Sequence, residues 1–194
     1  MDNMSYIRNY LNASMKVKQD LMSNLEVLAR IEEATALVIE AYKNSRKILL
    51  AGNGGSAADC QHIAAELVSR FFYDRPGLPA IALTTDSSML TAIGNDYGFV
   101  NLFSRQVQAQ GTAGDVFVGI STSGNSENII NAIDAAKENK MHTIAFCGEG
   151  GRIKELVDTA ICIPSSCTPH IQECHIVVGH IICALVEETI FPRG

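Results

Sequence analysis

A chain of 194 residues has room for one α/β domain with a few added helices. With 47% apolar and 19% charged residues it is not a disordered segment, and a net charge of −6 argues against nucleic-acid phosphate as its main partner, which needs a basic face. No uninterrupted apolar run is long enough to span a membrane, since the most hydrophobic stretch, 176–186, is broken by Gly179 and His180.

The first forty or so residues read as helix. Leu21, Leu25, Leu28, Ile31 and Leu37 fall near helical spacing, and Asn24 is placed to cap a second segment. The N-terminus is polar, without the apolar core of a secretion signal, and the six cysteines include no CxxC pair. Reduced thiols and a cytoplasmic location are therefore expected.

From residue 47 a βα rhythm takes over. Strands are predicted over 47–51, 80–83, 116–120, 143–146 and 160–163, with helices at about 56–70, 87–93, 102–110, 127–138, 153–157 and 172–189. No linker, repeat or low-complexity tract divides 1–194. A single domain is predicted: N-terminal helices over 1–45, suited to packing between subunits, then an α/β core over 46–190 with a parallel sheet flanked by helices. In such sheets ligands bind beyond the carboxyl ends of the strands, so the loops there carry the chemistry.

Two of those loops stand out. The first strand runs into Gly52-Asn53-Gly54-Gly55-Ser56, where glycine permits a tight turn and Ser56 suits a helix N-cap. It has neither the lysine of a P-loop nor a dinucleotide fingerprint, which argues against a nucleotide. The third predicted strand runs into Ser121-Thr122-Ser123-Gly124-Asn125-Ser126 at a helix start. Four hydroxyls exceed what a cap needs and point to a phosphate held by side-chain and backbone donors. The loop contains no Lys or Arg, so Arg70 or Arg105 would have to arrive from elsewhere.

A third grouping involves two helices. His62 and Glu66 share one helical face, with Asp59 one turn earlier; Gln172, His175 and His180 lie in the apolar last helix. A single histidine on such a helix is usually a hydrogen-bonded core residue. Together His62, Glu66, Gln172 and His180 offer nitrogen and oxygen ligands for a divalent metal such as zinc. Gln172 and His180 are eight residues apart, about 12 Å along a helix, so either Gln172 sits in the preceding loop or one of the two meets the site in another subunit.

Five ordered motifs carry a resemblance: AGNGGSAADCQHIAAEL at 51–67, RPGLPAIALTTD at 75–86, AIGNDYGF at 92–99, GDVFVGISTSGNS at 114–126 and IQECHIVVGHI at 171–181. Over about residues 5–190 the chain resembles the phosphoheptose isomerases. The resemblance implies a flavodoxin-like sugar-isomerase (SIS) fold with a five-stranded parallel sheet, a homotetramer, and conversion of sedoheptulose 7-phosphate to D-glycero-D-manno-heptose 7-phosphate on the way to ADP-heptose for lipopolysaccharide or capsule. It implies one zinc per active site on His62, Glu66, Gln172 and His180. It further implies substrate contacts from Asn53, Gly54, Gly55, Glu66, Asn95, Asp96, Ser121, Thr122, Ser123, Ser126 and Gln172. Glu66 is then the natural base and His180 the natural acid for proton transfer through an enediol, with Asp59 or Asp96 able to assist ring opening and His175 structural. Two rivals are an isomerase for another phosphosugar and a non-catalytic SIS protein that binds a phosphosugar or the bacterial replication initiator. That non-catalytic relative lacks the full pair found here at Glu66 and His180.

Overall fold

A computed structural model describes residues 2–193. Two N-terminal helices come first, α1 (Asn3–Ser23) and α2 (Leu25–Lys43). Asn24 alone separates them: its extended backbone breaks the helix, and its side chain accepts from the Val27 N–H at 3.2 Å. Then follow β1 (Ile48–Gly52), α3 (Gly55–Val68), β2 (Ala80–Ala82), α4 (Ser87–Tyr97), α5 (Ser104–Gln110), β3 (Val116–Ser121), α6 (Glu127–Glu138), β4 (His142–Cys147), β5 (Thr159–Cys162) and α7 (Thr168–Ile190).

The five strands form one parallel sheet in the order β2-β1-β3-β4-β5. Alternation along each strand sends side chains to two cores. Ile48, Leu50, Val118 and Phe146 face α2, α3 and α7, whereas Leu49, Phe117 and Ala145 face α5 and α6. This is the doubly wound, flavodoxin-like arrangement, whose topological switch point lies between β1 and β3. The helix α1 leans on α7, where Glu173 accepts from Tyr10, Ser14 and Lys18.

Most predicted elements occur within a few residues of their expected bounds. The segment 153–157 is the clearest departure: it makes only a 3-10 turn, Ile153–Glu155, because the short β4–β5 connection leaves no length for a helix after Gly150 and Gly151. The last helix starts at Thr168, four residues before the predicted 172, with Pro169 in its first turn, where a missing N–H costs nothing. Gln172 is therefore helical, and its placement in a preceding loop is excluded.

Candidate active site

The two strand-end loops meet at the switch point. Gly52 and Ile120 are register partners on β1 and β3, so the turns that follow emerge side by side. They are tied by reciprocal amide bonds between Asn53 and Asn128, at 3.0 and 2.9 Å. Gly54 enters α3 with φ +56°, a conformation that favours glycine. The cap is Gly54 and not Ser56, which lies inside the helix with its side chain buried. Asn53 is thus held by protein, with Gly54 and Gly55 exposed beside it.

In the hydroxyl-rich turn, Ser121 Oγ stands 2.9 Å from Ser126 Oγ and 3.5 Å from Ser123 Oγ. Ser126 occupies the N-cap of α6, yet its hydroxyl faces Ser121 and makes no cap bond. The turn is braced from below, since Gly148 donates its N–H to the Thr122 carbonyl at 3.1 Å. Beside it lies a cavity of about 460 Å³ lined by Thr122, Ser123, Gly150, Ser165, Ser166 and Thr168. Helices α3, α5, α6 and α7 start without a side-chain cap, whereas α1, α2 and α4 are capped by Asp2, Asn24 and Asp86; of the uncapped starts, that of α6 directly follows the hydroxyl turn. Helix starts left uncapped beside hydroxyls offer donors to an anion.

Sequence reasoning missed Ser165, Ser166 and Thr168. The signal was present in Ser165-Ser166-Cys167-Thr168-Pro169, hydroxyls followed by a proline suited to a helix start. It also missed Arg152, whose N–H donates to Asn125 Oδ1 at 3.1 Å and whose guanidinium lies 3.7 Å from Glu127. Of the cations expected near this turn, Arg105 instead stacks on Tyr97, 4.3 Å from the ring centre, and exposed Arg70 follows the end of α3. Asn95 and Asp96 pair with each other on exposed α4, at 2.7 Å.

Helices α3 and α7 lie side by side and build the second part. Gly179 permits their contact: a Cβ there would come within 2.6 Å of Ile63. The next residue, His180, consequently faces His62, with Nε2 atoms 3.5 Å apart and rings edge to face. His62 Nε2 is 3.1 Å from Glu66 Oε1, and one ligand atom from each of His62, Glu66 and His180 falls within a 4.8 Å group. The Phe71 ring packs against His180, 5.5 Å between centres.

Gln172 is placed toward the start of α3. Its amide lies against Gly55, seven residues before His62, so about 10 Å separates the two positions along α3. Asp59, one turn before His62, has a buried carboxylate oxygen without a protein partner; burial raises its pKa, and His62 opposes this. His175 is wholly buried, its Nε2 3.2 Å from the Cys147 carbonyl oxygen. Burial holds its pKa down to about 4, so it is neutral at physiological pH and structural.

Residues 9–148 match the SIS domain family. Phosphoheptose isomerase 2 of Campylobacter jejuni is 57% identical over 196 residues, covering all of this chain and 98% of that protein. Phosphoheptose isomerase of Aneurinibacillus thermoaerophilus is 58% identical, over 96% of this chain and 94% of its own length. The chain belongs to the phosphoheptose isomerase family. Its fold agrees: the solved phosphoheptose isomerase of Neisseria gonorrhoeae superposes with a TM-score of 0.89 at 44% identity, covering 95% of this chain and 98% of that one.

Just beyond the histidines lies a sealed ion pair. Arg75 Nε lies 3.0 Å from Glu187 Oε2, and both side chains are buried. Glu187 also accepts from the N–H groups of Phe71, Phe72 and Tyr73, while Arg75 donates to the Glu66 and Leu67 carbonyls at the end of α3. One pair thus ties α3, α7 and the Phe71 loop together. Burial raises the Glu187 pKa, but these donors outweigh it and hold the carboxyl below its ordinary range.

Proposed function

We propose that the chain converts sedoheptulose 7-phosphate to D-glycero-D-manno-heptose 7-phosphate, the first step toward ADP-heptose for lipopolysaccharide or capsule, in the cytoplasm. The observation that carries this reading is the convergence of half-buried Glu66 and His180, 114 positions apart in the chain, on one cluster with exposed His62. Ketose-to-aldose conversion moves a proton between C1 and C2 through an enediol. It requires a base at carbon and an acid at oxygen, together worth about 10²–10⁴-fold in rate for each well-placed group. Glu66 takes the carbon-bound proton and His180 serves the oxygen. Asp59, one turn before His62 with a buried carboxylate oxygen lacking a protein partner, is placed to assist ring opening.

The phosphate rests on Ser121, Thr122, Ser123 and Ser126 and the uncapped start of α6. Asn53, Gly54 and Gly55 contact the sugar from the first loop, Gln172 from α7, and Asn95 and Asp96 from α4. Two imidazole nitrogens and one carboxylate oxygen suit a catalytic zinc with an open position, so His62, Glu66 and His180 would hold one zinc per site. A zinc-bound carboxylate is a weaker base and a bound imidazole nitrogen carries no proton, so Glu66 and His180 would move protons only through their unbound oxygen and nitrogen or after loosening from the metal. When bound, the metal supplies Lewis-acid polarisation of the substrate oxygens. Gln172 as a fourth ligand would come from a neighbouring subunit, because its own amide is at Gly55.

Exposed apolar faces support a homo-oligomer. The N-terminal helices leave Met4, Ile7, Leu11, Met15 and Met22 exposed, and α2 and α7 share an apolar groove with Leu28, Ile39, Ile181 and Leu185. We assign these faces to a homotetramer. None of the described helices is long and apolar enough to cross a membrane. The function is tested by incubating purified protein with sedoheptulose 7-phosphate, before and after chelation. Heptose 7-phosphate is expected, lost with chelator and restored by zinc; no product from folded, zinc-loaded protein would overturn the assignment.

A further inference from the structure

The sheet brings two thiols together at the strand ends next to the hydroxyl-rich turn, where Cys147 is the register partner of Ser121. Cys147 ends β4 and Cys162 ends β5, and the parallel register makes them direct partners. Neighbouring strands lie about 4.8 Å apart, which falls inside the span of roughly 4.4–6.8 Å that a disulfide needs between Cα atoms. Their sulfurs are 3.5 Å apart, so both side chains project to the same face. Closing to a bonded pair requires an approach of about 1.5 Å. The four-residue β5 is an edge strand and can accommodate that movement more readily than an inner one.

Access is unequal. Cys162 lines a cavity of about 570 Å³ between the start of α2 and the β4–β5 connection, with Arg30 and Lys154 among its walls. Cys147 sits behind it, fully buried. We propose that Cys147 and Cys162 are an oxidisable dithiol, in which Cys162 reacts with a hydroperoxide and Cys147 resolves the product as an intramolecular disulfide.

The chemistry balances. The Cys162 thiolate attacks one peroxide oxygen, the O–O bond breaks, and the departing oxygen leaves as water after taking a proton. Cys162 is then a sulfenic acid. The Cys147 sulfur attacks that sulfur, the S–O bond breaks, and a second water carries away the Cys147 proton. Two thiols lose two electrons and hydrogen peroxide is reduced to two waters. The hydrogen bond between the two sulfurs lowers the Cys162 pKa against burial, with Lys154 and Arg30 on the same side and Glu26 opposing, which favours Cys162 as the thiol that meets peroxide first. The same bond and burial push Cys147 up, so its attack on the sulfenic acid relies on the 3.5 Å proximity of the two sulfurs. Burial also raises Cys60, Cys174 and Cys183, which makes them poor competitors.

The test uses the full-length wild-type chain, so no variant's folding decides it. Protein is treated with a small excess of hydrogen peroxide, alkylated in denaturant and mapped by mass spectrometry. The expected result is loss of two of the six thiols, a peptide pair joined through Cys147 and Cys162, and full release by dithiothreitol. A Cys147→Ser protein should stop at a Cys162 sulfenic acid trapped by dimedone. Oxidation confined to exposed Cys167, or a Cys162 sulfinic acid in wild type without the linked pair, would overturn the proposal.

Discussion

Helices α3 and α7 each carry a carboxylate, Glu66 on the first and Glu187 on the second, in opposite circumstances. At one place Glu66 meets His62 and His180 with about a quarter of its side chain exposed. At the other Glu187 meets Arg75 with no exposure and four protein donors. The first group retains acceptor capacity for a ligand or a proton. The second has its hydrogen-bonding capacity taken up by protein, and its role is to set where the first one stands. Chemistry and mechanical support are thus separated along one helix pair, within reach of one another through the Arg75 bond to the Glu66 carbonyl.

That contrast can be broken at its closed end. Glu187→Ala leaves the Arg75 guanidinium buried without its partner, which should cost about 3–5 kcal/mol in urea unfolding. Acid should reveal the same carboxylate. Its folded pKa lies below the unfolded value, so its contribution is present above that value and is lost as pH falls through the folded pKa. A Glu187→Gln protein should show a flatter acid limb in stability measured against pH. The contrast can be sharpened at the contact between the helices. Gly179→Ala puts a methyl group against Ile63 and should cost about 1–3 kcal/mol. It should lower turnover more than a surface substitution of equal stability cost, because it forces His180 away from His62.

Much of this organisation was legible in the sequence. Five short apolar runs gave the strands, Asn24 marked the helix break, and the His62–Glu66 spacing placed both on one face before any fold was known. The hydroxyl turn after β3 was equally readable, because its residues are contiguous. What local pattern could not supply was partnership at long range. The Arg75–Glu187 pair spans 112 positions, and an acidic residue in the last turns of a helix reads as solvated until neighbouring backbone N–H groups surround it. Gly179 was noted only as an interruption of an apolar run, although a small residue beside a functional histidine also marks close helix packing. The Ser56 cap failed for a related reason: the positive φ at Gly54 starts the helix two residues earlier than a cap at Ser56 would.

The central claim is that Glu66 removes the carbon-bound proton while His180 serves the oxygen. Proton NMR of sedoheptulose 7-phosphate turnover in deuterium oxide reads this directly, comparing wild type with Glu66→Gln and His180→Gln. The account predicts solvent deuterium at C2 of the heptose product with wild type, and a loss of exchange of roughly 10²-fold or more in Glu66→Gln at an unchanged melting temperature. His180→Gln should lose product formation to a similar degree. Exchange by Glu66→Gln at the wild-type rate would contradict it.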